Sequence, residues 1–184
     1  MADDLLKVRD VMRILNISRR TVYYWISEGI LKPVRIGSVF RFQPEDIDHL
    51  IESGRSAVSI KPKKILAVDD DILVRESIKT LLGRAGYVVT VASDGPTALT
   101  LLTKHEFDLI LVDMRMPGMD GLETLKAIRK VRQKAQKEIL PEIIMSAYED
   151  ERASKEATKL GVRKFITKPF ELDDFLEIIR QHIN

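Results

Sequence analysis

The 184-residue sequence has no cysteine. Disulfide frameworks, thiolate metal sites and cysteine nucleophiles are therefore excluded. Histidine is scarce: His49, His105 and His182 are widely separated and form no metal-ligand pattern. Long apolar runs are missing too. A run such as Leu109–Val112 is four residues long, far below the ~20 a spanning helix needs, so no membrane partner is expected. The opening MADDLLKVRD has no apolar core of signal-peptide length, which points to a cytoplasmic protein. What is present is an ordinary globular balance, 45% hydrophobic and 32% charged, enough apolar material to bury a core.

The formal net charge of +2 is unevenly placed. Residues 1–62 carry 10 Lys and Arg against 8 Asp and Glu, while residues 63–184 carry 20 of each. Between Leu5 and Gln43 eight basic residues face only Asp10 and Glu28, and the acids follow at Glu45, Asp46, Asp48 and Glu52. A basic face backed by an acidic helix fits a nucleic-acid reader.

Residues 55–62 read as a linker, rich in Ser with a Pro and no apolar period. They divide the chain into a small domain over 1–54 and a larger one over 63–184. In the first, Val8, Val11, Met12 and Leu15 have helical spacing. Ser18 is a natural N-cap for a helix from Arg19 to Glu28 that ends at Gly29. On that helix Val22, Trp25 and Ile26 share a face, and Trp25 is assigned to the core. Two alternating runs, Val34–Ile36 and Val39–Phe42, flank Gly37-Ser38 and predict a hairpin. A strict two-residue turn pairs Arg35 with Phe40, whereas a bulge lets Arg35 and Arg41 share a face; both remain open here. Pro44-Glu45-Asp46 opens a last helix.

The larger domain alternates strand and helix five times. Strands are predicted at Ile65–Asp69, Tyr87–Ala92, Asp108–Asp113, Glu142–Ser146 and Lys164–Thr167. Helices are predicted near 72–84, 95–105, 121–137, 151–160 and 172–183. This period predicts an α/β fold, a five-stranded parallel doubly wound sheet covered on both faces. Ligands of such sheets sit beyond the carboxyl ends of the strands. There the sequence delivers Asp69-Asp70-Asp71, Asp113, Ser146 and Lys168 from four different strands. Clustered carboxylates repel, and a hard divalent cation such as Mg2+ relieves the repulsion. An Asp113 oxygen then suits attack on a phosphoryl group, with Ser146 and Lys168 holding the new oxygens. Any one of these loops alone reads more simply as a solvated turn; the joint delivery gives the pattern its weight.

The segments KKILAVDDD, LILVDMRMPGMDG, IIMSA and KFITKPF resemble a response-regulator receiver domain. The resemblance implies a flavodoxin-like fold, Asp113 as phospho-acceptor, and a magnesium site of Asp69, Asp70, Asp113 and the backbone carbonyl of Arg115, with Asp69 acting largely through water. Arg75, five residues past Asp70, fits the family's spacing. Ser146 and Phe165 stand at the switch positions and Lys168 is the phosphate-pairing lysine. Arg115 and Tyr148 stand where side chains tune phosphate lifetime. The implied partner is a histidine kinase or phosphotransfer protein, and a homodimer after phosphorylation is compatible. Between Gly121 and Ser146 the chain runs a few residues longer than is typical. It gathers Lys126, Arg129, Lys130, Arg132, Lys134 and Lys137 with no intervening acid. A solvated helix face is the favoured reading of this cluster, and a second contact surface for DNA or a partner the alternative.

Residues 5–53, above all SRRTVYYWI and VRIGSVFRF, resemble an excisionase or MerR-like winged helix-turn-helix. By that resemblance Ser18, Arg19, Arg20, Thr21 and Tyr24 contact double-stranded DNA from the second helix, and Arg35, Ser38 and Arg41 from the wing. The whole reads as a regulatory protein, not an enzyme acting on other substrates: a DNA-binding response regulator switched at Asp113. The alternative is a signalling adaptor whose winged helix binds protein. The reader precedes the receiver, an unusual order for the family.

Overall fold

The computed structural model describes residues 5–52, 62–147 and 151–183, with backbone alone at 151–153. Apart from Pro62, the expected linker lies outside the described residues, as does Tyr148. The chain forms two compact units, one on the elements up to Glu52 and one on most of the remainder.

The first unit runs β1 (Leu6–Lys7), α1 (Val8–Leu15), α2 (Arg19–Ser27), β2 (Val34–Ile36), β3 (Val39–Phe42) and α3 (Pro44–Glu52). Asn16 ends α1 in the left-handed region at φ +52°, which its short polar side chain tolerates. The Ser18 hydroxyl accepts from the Thr21 amide at 3.1 Å and so caps α2 as expected. Val11, Leu15, Val22, Trp25, Leu31, Phe42, Ile47 and Leu50 are buried. The β1 strand was not foreseen: two residues are too few to show a period, and only the pairing of Leu6 with Phe42 and Lys7 with Arg41 reveals it. The hairpin has the strict two-residue turn. Arg35 pairs with Phe40 and Ile36 with Val39, and Gly37 supplies the φ of +61° that a II′ turn asks of its first position.

The second unit runs β4 (Lys64–Val68), α4 (Ile72–Arg84), β5 (Val88–Ala92), α5 (Gly95–Lys104), β6 (Leu109–Asp113), α6 (Gly121–Lys134), β7 (Glu142–Ser146), α7 (Glu151–Leu160), β8 (Lys164–Thr167) and α8 (Leu172–His182). All strand pairs are parallel, in the order β5-β4-β6-β7-β8. Leu66, Val68, Ile110, Val112 and Ile144 pack with Ala98 and Leu102 of α5, Leu122, Leu125 and Ile128 of α6, and Ala157 of α7. The alternate strand residues Ile65, Ala67, Leu109, Leu111, Ile143 and Met145 are buried as well, as are Ile78 and Leu82 of α4 and Phe175 and Ile179 of α8. Burial of both sheet faces explains why these strands read as continuous apolar runs. The α6 helix stops at Lys134, short of the expected 137, because Gln136 turns left-handed at φ +55°.

Candidate functional site

β4 and β6 are adjacent in the sheet, with Val68 in register with Val112. The residues that follow, Asp69 and Asp113, therefore leave the sheet side by side. They are 1% and 7% exposed. Such carboxylates need partners, and Lys168, arriving from the end of β8, supplies one ammonium to both. Its Nζ lies 2.6 Å from Asp69 Oδ2 and 2.6 Å from Asp113 Oδ1. The end of β8 is itself held to β7, since the Lys168 amide donates to the Ser146 carbonyl at 2.6 Å.

The remaining carboxylate oxygens meet backbone donors. Asp113 Oδ2 accepts from the Arg115 amide at 2.8 Å, and Asp69 Oδ1 from the Asp71 amide at 3.0 Å. Asp71 Oδ1 in turn accepts from the Leu73 amide at 2.8 Å at the start of α4. Arg75 reaches back from α4 and donates Nη1 to the Asp69 carbonyl at 2.6 Å. Burial raises the pKa of Asp69 above its ordinary 3.8, against the pull of Lys168 and the Asp71 amide. Burial works against the Lys168 ammonium, but its bonds to Asp113 and Asp69 and their charges prevail and raise its pKa above 10.5.

Asp70 stays exposed. It lines an open cleft with Met114, Arg115, Met116, Pro117 and Asp120 beside Asp113. Ser146, 1% exposed, lies one residue past the register partner of Asp113 on β7. Phe165 on β8 is half-buried and packs against the sheet core. The structure thus brings the expected receiver residues to one sheet edge. The chemistry of the donor set suits a hard divalent cation: Asp69 and Asp113 meet at Lys168, which answers one of their two charges, and Asp70 follows Asp69 in the chain. Among the described residues no three acidic or imidazole groups already stand at metal-binding spacing.

The sequence reading missed two supports of this edge and one buried ion pair at the opposite end of the sheet. Arg75 marked only spacing, and its bond to the Asp69 carbonyl went unanticipated. Asp71 was one of three acids, not recognised as the brace for Asp69. Glu142, at the start of β7, is 1% exposed. It accepts Arg129 Nε at 3.0 Å on each oxygen, with Nη2 close by. An acid opening an otherwise apolar strand, with arginines on the preceding helix, was the available signal.

In the first unit Ser18, Arg19, Arg20, Arg35 and Ser38 are exposed, while Thr21 and Arg41 are half-buried. The Ser18 and Thr21 hydroxyls are paired at 2.9 Å. One expectation needs correction, and one open point is decided. Tyr24 is 4% exposed, so its ring offers no surface to a base or phosphate. Arg35 and Arg41 project from opposite faces of the hairpin, because the turn has no bulge. Arg41 also donates Nη1 to its neighbour's carbonyl, Phe40 O, at 3.0 Å.

Comparison with known proteins agrees with this geometry. Residues 65–180 match the response regulator receiver domain and residues 5–55 a helix-turn-helix domain. Sporulation initiation phosphotransferase F of Bacillus subtilis is 36% identical over 121 residues, which cover 66% of this chain and 94% of that protein. The transcriptional regulatory protein FixJ of Bradyrhizobium diazoefficiens is 40% identical over 119 residues, 65% of this chain and 56% of that one. The chain thus spans about half of FixJ. Among solved structures, Vibrio cholerae chemotaxis protein CheY4 superposes with a TM-score of 0.61 at 32% identity, covering 66% of this chain and 99% of its own. Thermotoga maritima TrrA, solved with Mg2+ and BeF, superposes at 0.56 with 29% identity, covering 65% and 97%. Among the described residues no helix is long and apolar enough to cross a membrane.

Proposed function

The chain belongs to the response-regulator receiver family, and from that premise we propose that it is a cytoplasmic DNA-binding regulator of a two-component system, switched by phosphorylation of Asp113. The domains divide at residues 55–62. The observation that carries this reading is the Lys168 ammonium held 2.6 Å from both Asp69 and Asp113. It orients the Asp113 carboxylate and offers an ammonium that would pair with the oxygens of an incoming phosphoryl group.

An Asp113 oxygen attacks the phosphorus of a phosphohistidine donor, the nitrogen–phosphorus bond breaks, and an acyl phosphate forms. Asp70, Asp113 and the Arg115 carbonyl, with Asp69 through water, would hold Mg2+, which supplies charge neutralisation toward the phosphoryl oxygens. The phosphoryl group carries about −1.5 to −2 charge in place of the carboxylate's single charge. Ser146 and Lys168 turn toward it, and Phe165 fills the space Ser146 leaves. The changed face around β8 is the surface on which two copies pair. Ser18, Arg19, Arg20 and Thr21 on α2 and Arg35, Ser38 and Arg41 on the wing meet double-stranded DNA.

The test is mass spectrometry after incubation with Mg2+ and acetyl phosphate. The wild type gains one phosphoryl group and Asp113→Asn gains none. A group that survives in Asp113→Asn, or a wild type that gains nothing, refutes the acceptor.

One observation favours a second reading, an adaptor whose winged helix binds protein. Val34, Ile36 and Val39 share the outer face of the hairpin and are 39%, 45% and 45% exposed. Absence of salt-dependent binding to random duplex DNA selects it.

A further inference from the structure

The basic run of α6 separates into two classes. Arg129 is committed to Glu142. Arg132 is buried, donates Nε to the Glu138 carbonyl at 2.6 Å and approaches Glu106 at 3.9 Å. Lys137 pairs with Glu106. Half of the cluster is therefore held in ion pairs and hydrogen bonds, which the reading as a solvated helix face did not foresee. The other half is not: Lys126, Lys130 and Lys134 are exposed and, among the described residues, have no ion-pair partner. Their four-residue spacing sets them in one row, about 6 Å of rise apart.

The row continues onto the neighbouring segment. Arg129 donates Nη1 to the Leu160 carbonyl, the last residue of α7. The Arg163 amide donates to the Glu142 carbonyl at 3.0 Å, and Glu142 is the residue whose carboxylate Arg129 holds. These bonds tie the end of α7 and the approach to β8 to α6, the helix that carries the lysine row, and Lys159 and Arg163 lie on those tied segments. Both are exposed and have no ion-pair partner among the described residues. The exposed acids on the same stretches, Glu123, Glu138 and Glu156, are outnumbered by the five cations, and Glu123 is occupied with the helix cap at Asp120. The surface lies where β7 and β8 begin, at the opposite end of the sheet from Asp113.

We infer that Lys126, Lys130, Lys134, Lys159 and Arg163 form a second polyanion-binding surface that takes the phosphate backbone of DNA. The choice of DNA rests on the reading of the first domain as a DNA binder. That domain joins the receiver through residues 53–61, nine residues that reach about 30 Å at most. DNA held by the first domain is thus at high effective concentration for the receiver. Lysines in a row act as point charges on phosphates and carry no base specificity. A lipid surface would instead favour apolar side chains beside the cations. Val131, the exposed apolar residue of α6, lies three residues before Lys134 and is a single side chain beside the row, too little for a lipid-facing surface.

The experiment uses the full chain and a random DNA duplex, followed by anisotropy between about 50 and 200 mM salt. Lys126→Gln/Lys130→Gln/Lys134→Gln lowers the slope of log affinity against log salt by about 0.9 per lysine engaged, and affinity at ~0.1 M salt by about tenfold or more. Arg163→Gln, on a separate element, lowers it by about 0.9 if engaged. Unchanged circular dichroism and unchanged phosphorylation of Asp113 show that the triple variant folds. An unchanged slope in the triple variant, with binding lost in Arg19→Ala/Arg20→Ala, overturns the second surface and leaves the first domain as reader. Loss in the triple variant, with Arg19→Ala/Arg20→Ala binding like wild type, upholds the surface and refutes the winged-helix reading. A wild type that binds no DNA overturns both. Vesicles of phosphatidylserine and phosphatidylcholine serve as the competing probe. Vesicle binding lost in the triple variant while DNA binding is unaltered overturns the inference in favour of a membrane.

Discussion

Replacing Arg129 with Met tests how the receiver tolerates its most buried charge. Glu142 is 1% exposed, and Arg129 meets both of its oxygens at 3.0 Å through Nε alone. Without the guanidinium, the cheapest escape for the carboxylate is to take up a proton. From its ordinary value of 4.5, that costs about 1.4 kcal/mol per pH unit, or about 3.4 kcal/mol at pH 7. The Leu160 carbonyl also loses a donor, for about 1 kcal/mol more. The sum falls in the range of roughly 3–5 kcal/mol known for breaking buried pairs. Its signature is in the pH dependence. Burial already raises Glu142 above 4.5 despite Arg129. The folded state therefore binds more protons than the unfolded one just above pH 4.5, and stability falls as pH rises through that window. In Arg129→Met the window widens past neutrality, and the penalty grows by about 1.4 kcal/mol per unit, shrinking to about 0.7 plus the lost Leu160 bond at pH 5. Arg129→Met/Glu142→Gln removes the proton and flattens the profile. The assay is urea unfolding by circular dichroism. The single tryptophan, Trp25, lies in the other domain, so its fluorescence serves as an internal control. A penalty that is flat with pH, or a double variant no more stable than the single one, refutes the reasoning.

Other substitutions probe the site and the first domain. A Cβ on Gly121 would stand 2.4 Å from the Asp113 carbonyl oxygen and 3.0 Å from Met114 Cα, backbone that cannot turn aside. Gly121→Ala is expected to cost about 1–3 kcal/mol in urea unfolding and to slow acetyl-phosphate labelling; an unchanged midpoint and rate refute that. Lys168→Ala still accepts phosphate but regulates its target poorly, as measured by labelling and a reporter; normal regulation refutes the switch. Ser18→Ala removes the cap on the Thr21 amide and lowers the Trp25-monitored transition by about 1 kcal/mol, leaving the receiver transition in place.

How far the sequence reached depended on the kind of interaction. The five strands and their helices announced themselves through apolar runs, because both faces of the sheet are covered and every residue of the central strands β6 and β7 is buried. The edge carrying Asp69, Asp113, Ser146 and Lys168 followed from strand ends alone. Interactions set by register or by tertiary approach were not legible. Alternation of Val34–Phe42 is the same with or without a bulge, so only the pairing of Arg35 with Phe40 decided which arginines share a face. Tyr24 shares the Arg20 side of α2 by spacing, and its burial is a tertiary fact. The basic cluster of α6 read as one feature because sequence cannot show that Arg129, Arg132 and Lys137 have partners 13, 26 or 31 residues away, at Glu142 and Glu106.

β7 ties the two ends of the receiver together. Its last residue, Ser146, lies beside the proposed acceptor, and its first, Glu142, is locked to α6 by Arg129. The same arginine holds the last carbonyl of α7. A displacement of Ser146 toward a phosphoryl group therefore meets a strand and a helix that are both fixed at their far ends. α7 must either pivot about Leu160 or give up the Arg129 bond. The first keeps every bond at the far end, whereas the second leaves a polar group without its partner. The pivot is the cheaper course. Movement is then confined to the phosphorylation end while the lysine row stays still, so phosphorylation alone should leave the salt-dependent contribution of that row unchanged. Anisotropy with and without beryllofluoride and magnesium measures this, and a row whose contribution to the salt slope changes on activation would mean that Arg129 lets go.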